Sequence, residues 1–96
     1  MASRIVTWNG ILDMAKLLFF GPLSDMLELE SMSVPLTDDI KTIHDLVAAL
    51  HTRGTRWQRY LNTDKLQITR NRQFCDANTE ITNSDEIAFI SRPGSI

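Results

Sequence analysis

One cysteine, four glycines and three prolines in 96 residues leave this chain few of the special devices that staple or bend small proteins. Cys75 stands alone, which excludes an intramolecular disulfide and a cysteine-built metal cluster within one chain. With only Asp76 beside it and no activating base, it reads as a structural thiol rather than a nucleophile. Long apolar runs are also missing: none approaches the roughly 20 residues that cross a bilayer. The N-terminus has no basic, apolar and small-residue zones of a secretory signal. A cytoplasmic location without a membrane partner is the expectation. Charge of one sign is not in excess either, since ten Lys and Arg against twelve Asp and Glu give −2. That balance argues against nucleic acid as the partner, because phosphate binding needs local and net positive charge.

Chemical motifs are equally sparse. There is no phosphate-binding glycine loop, no Ser-His-Asp arrangement and no His/carboxylate cluster at helical metal spacing. His44 and His51 fall two helical turns apart, about 10 Å along the axis, too far to share one ion. No catalytic residue, no metal site and no bound cofactor are therefore expected, and the chain is not expected to be an enzyme by itself. Asp38-Asp39 and Asp85-Glu86 read as capping or turn-solvating pairs rather than an acid/base couple.

What is present describes one folded domain. Hydrophobic residues make up 43% and charged residues 23%, a balance that supports a single modest core and excludes a disordered chain. Met1 to Asp13 shows no clear periodicity around Trp8, Asn9 and Gly10, so residues 1–13 are expected to be an appendage. A buried strand follows over Lys16–Phe20. Gly21-Pro22 ends it and opens a short helix with Leu23, Met26 and Leu27 on one face. Glu28 to Pro35 reads as a second, half-exposed strand. Thr42 and Asp45 have capping-box spacing ahead of Ile43, Leu46, Val47 and Leu50, the apolar stripe of the main helix. Gly54 is the expected left-handed terminator. Thr55 to Leu61 adds a further turn or two that buries Trp57 and Leu61. Leu66 and Ile68 mark a third strand, Asn71-Arg72 a tight turn, and Gln73–Cys75 a fourth strand. Asp85 to Ile90 is the last. The order predicts an α+β domain over 14–90, a small mixed sheet packed on one main helix. Arg53, Arg56 and Arg59, interleaved with Trp57 and Tyr60, form a local basic-aromatic cluster that Arg70 and Arg72 are placed to join.

The last residues, Arg92-Pro93-Gly94-Ser95-Ile96, follow that strand as a tail over 91–96. Proline lacks a ladder donor and glycine a side chain to pack, so the tail is expected to project from the sheet.

In order and spacing, Lys16-Leu17-Leu18-Phe19-Phe20-Gly21-Pro22-Leu23, Thr42 with its helix, Arg56-Trp57, Lys65-Leu66 before the Asn71 hairpin, and Asp85-Glu86-Ile87-Ala88-Phe89-Ile90 resemble the small, sulfur-carrying subunit of molybdopterin synthase. The resemblance runs from about Met14 to Ile90. It implies the ubiquitin-like β-grasp fold, shared with the thiamine sulfur carriers, and a role in molybdenum cofactor biosynthesis. It further implies that an adenylyltransferase uses ATP to activate a C-terminal carboxylate, that sulfur is installed as a thiocarboxylate, and that the tail enters the large synthase subunit to deliver it to precursor Z. On this reading Arg92, Pro93, Gly94, Ser95 and Ile96 are the carrier tail, and Phe89 and Ile90 lie at the interface with the large subunit.

The family's tail ends in Gly-Gly, whereas this sequence has Ser95-Ile96 in that place. A β-branched residue in a narrow enzyme channel commonly costs about 1–3 kcal/mol. The expectation is thus a divergent or inactive carrier, with a non-covalent ubiquitin-like interaction module as the alternative and a thiamine-type carrier as a third reading.

Overall fold

The computed structural model describes residues 14–91; the expected appendage over 1–13 and tail residues Arg92–Ile96 lie outside them. Strand β1 (Ala15–Phe20) alternates buried and exposed positions, with Ala15, Leu17 and Phe19 facing the core. Gly21 then takes φ 73, a left-handed conformation costly for any residue with a Cβ. Pro22 follows at the start of helix α1 (Pro22–Leu27), where its missing N–H is not needed. Helix α1 buries Leu23 and Leu27 and is closed by Glu28 in the left-handed region. That conformation delays the second strand: β2 runs over Ser31–Val34, shorter than the span from Glu28 to Pro35 that alternation suggests.

Helix α2 (Ile43–His51) carries the expected capping box. Asp45 N–H donates to Thr42 Oγ1 at 3.2 Å, and Asp45 Oδ2 accepts from the backbone N–H of Thr42 at 3.2 Å and of Lys41 at 3.0 Å. The Lys41 bond is the chief cause that holds the Asp45 carboxyl below its ordinary value; burial opposes it, and both Thr42 bonds reinforce it. The helix ends at Thr52, before Gly54. Gly54, at φ 145 and ψ 178, instead leads into helix α3 (Thr55–Tyr60), so it serves as the bend between two helices rather than as an αL cap.

A short 3₁₀ turn (Thr63–Lys65) precedes β3 (Leu66–Arg70), which forms a hairpin with β4 (Gln73–Cys75). Asn71 and Arg72, at φ 52 and 71, make the two-residue turn that matches strand twist. Strand β5 is Glu86–Ser91. The sheet order is β2-β1-β5-β3-β4; β1 and β5 are parallel, and all other neighbours are antiparallel.

The helices cover one sheet face. Leu17, Phe19, Ile68, Ile87 and Phe89 meet Ile43, Leu46, Val47 and Leu50 of α2 and Trp57 of α3 in one core. Phe19 sits at its centre, stacked on Phe89 and edge-on to Trp57, with ring centroids 5.8 Å apart in each case. No helix among the described residues is long and apolar enough to cross a membrane.

Candidate functional site

The parallel pairing of β1 and β5 brings Phe20 beside Ile90 at the end of the sheet from which the chain continues past Ser91. Ser91 is tied down there: the Leu23 N–H donates to Ser91 Oγ at 3.0 Å. One of the orphan donors of α1 is thus capped by the last residue of β5. Gly21 lies against the same residue, since a Cβ placed on it would stand 3.5 Å from Ser91 Cβ. The root of the tail is therefore held by the Gly21-Pro22 corner and α1.

The sheet face away from the helices presents the other half of each strand. One row of the register reads Ser31, Leu18, Ala88, Thr69, Phe74; the next, toward the tail, reads Phe20, Ile90, Gln67. Phe20 is 48% exposed and Phe74 75% exposed, while small Ala88 is covered by its neighbours. Lys16 and Glu86 face each other at the far end of this surface. An apolar strip with a polar border thus leads to the tail root, the composition of a docking surface.

This arrangement corrects one expected interface residue. Phe89 is fully buried on Phe19, so its ring belongs to the core and is not offered to a partner. Ile90, half-buried, lies on the open face with Phe20. The residues not anticipated for that face are Leu18, Phe20 and Phe74. Their signal lay in the phase of β1: once Ala15, Leu17 and Phe19 are taken as inward, Lys16, Leu18 and Phe20 must point the other way.

At the opposite end of β5, Asp85 is buried rather than solvating a turn. Its Oδ2 accepts from the Thr82 N–H at 2.8 Å and from Arg70 Nε at 3.1 Å, and its Oδ1 from Asn71 Nδ2 at 2.9 Å. Burial, the largest single influence, pushes this carboxyl up, but the bonds from Asn71 and Thr82 together with the Arg70 charge outweigh it and leave Asp85 below the ordinary value. Asn71 in turn accepts from the Glu86 N–H at 2.9 Å. The cluster locks the hairpin turn to the start of β5. Asp38 and Asp39 lie in an exposed turn.

The remaining candidates separate. His51 Nε2 lies 2.7 Å from the Leu61 carbonyl oxygen, whereas His44 is exposed. No group of three or more potential metal ligands forms among the described residues. Cys75 is a free, half-buried thiol on the core side of β4. Arg70 and Arg72 sit beside the start of β5, where Asp85 and Glu86 engage them. Arg53 and α3 belong to the other end, since Trp57 of α3 packs on Phe19 and α3 packs on α1. The basic cluster expected as one patch is two.

A five-stranded mixed sheet in this order, wrapped on one side by a main helix, defines a ubiquitin-like β-grasp protein. The chain belongs to the ThiS family, which matches residues 17–92. Solved structures of similar fold include SAMP1 from Haloferax volcanii, at TM-score 0.70 and 16% identity over 84% of this chain and 97% of that one. Urm1 from Trypanosoma brucei matches at TM-score 0.64 and 13% identity over 85% of this chain and 94% of that one. A chain in the complex of subunits 1 and 2 of the molybdopterin-converting factor from Helicobacter pylori matches at TM-score 0.59 and 21% identity over 82% and 93%. No curated protein matches the sequence.

Proposed function

We propose that this chain is a cytoplasmic sulfur-carrier subunit of the molybdopterin-synthase type, without a catalytic site of its own. The observation that carries the reading is the junction of tail root and apolar face: Ser91 anchored on α1, with Phe20 and Ile90 beside it. A partner that docks on the open face meets Ser91, the residue to which the tail is joined, in the same encounter. The large subunit of a molybdopterin synthase is the proposed occupant, in keeping with the two-subunit complex from Helicobacter pylori.

The chemistry assigned to the tail needs an adenylyltransferase. Its ATP converts the terminal carboxylate to an acyl adenylate with release of pyrophosphate, and a sulfur donor then displaces AMP to leave a thiocarboxylate. ATP is the partner's substrate, so the chain itself needs no nucleotide site. Ser95 and Ile96 stand where the family has Gly-Gly, and side chains there obstruct passage through a close-fitting channel. The carrier reading is tested by incubating the chain with ATP, a sulfide donor and an adenylyltransferase of this family, followed by intact mass. The oxygen-to-sulfur mass shift is expected on the Ser95→Gly/Ile96→Gly variant. Absence of a shift on that variant, with the enzyme active on its own carrier, supports the non-covalent interaction module instead.

A further inference from the structure

Helix α3 and Arg53 just before it carry positive charge away from the open sheet face. Arg53 lies over the Trp57 ring at 4.9 Å from its centroid, which orients the guanidinium on the surface. Arg56 and Arg59, one turn apart, line an open cleft of about 340 Å³ with the hydroxyl-bearing residues Thr55 and Tyr60. The other basic surface pair differs, because Arg70 and Arg72 have Asp85 and Glu86 within 4.0 Å. On α3 only Arg56 has such a partner, Glu28, and both members of that pair are exposed. An exposed pair of this kind contributes little and yields to a competing carboxylate. No carboxylate among the described residues reaches Arg53 or Arg59 at salt-bridge distance.

We infer that Arg53, Arg56 and Arg59 form a docking site for an acidic segment of a protein partner. Forked guanidinium donors beside hydroxyls suit carboxylates, which accept several hydrogen bonds at once. A long polyanion is disfavoured by the surroundings: Glu28, just after α1, already stands against Arg56, and the chain as a whole carries −2. A compact positive pole on a negative body instead orients an acidic protein surface during encounter. The site lies on the helical side, on the helix that packs against α1, so a partner seated there leaves the open sheet face free. The inference rests on the charge pattern and does not depend on the tail being modified.

The test is a titration of the full ¹⁵N-labelled chain with a short peptide of alternating Glu and Gly, followed by NMR. Shift changes are expected at Arg53 to Tyr60, with binding lost between low salt and about 150 mM, where the Debye length is about 8 Å. Arg59→Glu, whose side chain makes no ion pair among the described residues, should weaken binding about threefold or more, and Arg53→Glu/Arg59→Glu about tenfold. Glu28→Gln should tighten it by about twofold by freeing Arg56. Shifts centred on Arg70 and Arg72, affinities unchanged by Arg59→Glu in a folded chain, or tighter binding of a single-stranded oligonucleotide on the same residues would each overturn the proposal.

Discussion

Leu23 and Ser91, 68 positions apart, are joined by one hydrogen bond from the Leu23 N–H to Ser91 Oγ at 3.0 Å. The bond makes the exit of β5 and the first turn of α1 a single unit. Ser91→Ala leaves that donor without its acceptor and should cost about 1 kcal/mol. Urea unfolding should show a lower midpoint at unchanged slope, and Ser91→Thr, which keeps the hydroxyl, should recover most of it.

Phe89 and Ile90 are neighbours with opposite tasks, and substitution separates them. Phe89→Ala removes the ring stacked on Phe19 and should cost about 3–5 kcal/mol. Ile90→Ser, on the open face, should cost about 1 kcal/mol or less. In a binding assay with the large subunit the order reverses among folded variants: Ile90→Ser and Phe20→Ser weaken association about tenfold or more.

Asp85 makes stability depend on pH in the acid range. Its folded pKa lies below the unfolded value near 3.8, so its contribution is full above that value and is lost as pH falls through the folded pKa. Asp45 acts in the same direction. Denaturant midpoints measured from pH 6 down to about pH 2 should fall for the natural chain. Asp85→Asn should be less stable at pH 6, since Arg70 loses its charged partner, and should fall less steeply on acidification. An equally steep acid loss in Asp85→Asn would remove Asp85 as a cause.

Arg72 holds φ 71 in the β3–β4 turn while its side chain is 90% exposed. Relieving a left-handed non-glycine residue contributes about 1 kcal/mol. Arg72→Gly therefore should raise the unfolding midpoint by a few degrees in a domain of this size. The weak pair with Glu86 at 3.9 Å offsets little of that gain.

Local codes were readable in the sequence. Gly21-Pro22, the Thr42–Asp45 box and Asn71-Arg72 each impose a backbone conformation through a few neighbouring atoms, and each forms as expected. The resemblance over Lys16–Leu23 and Asp85–Ile90 supplied the β-grasp fold; composition and spacing alone reached only a mixed sheet on a helix. What stayed hidden depends on distant parts of the chain. The inward turn of Asp85 needs Arg70, Asn71 and Thr82 to converge on it. Phe20's exposure was legible in the alternation of β1, but the inward placement of Phe89 was not, because Ile87, Ala88 and Phe89 are all buried and only the pairing of β5 with β1 sets the phase. The split of the basic residues into two patches likewise follows from placing α3 and the hairpin at opposite ends of β5.

The claim that tail and open face work as one unit is tested most directly by the rate of thiocarboxylate formation, read by intact mass, on three folded chains. The Ser95→Gly/Ile96→Gly variant should form the adduct, and the natural chain should do so about tenfold more slowly or worse. With the adenylyltransferase proposed to dock on the same open face as the large subunit, adding Phe20→Asp to the glycine variant should lower the rate again by about tenfold or more. An unchanged rate with Phe20→Asp would contradict the account, and so would no adduct on any of the three.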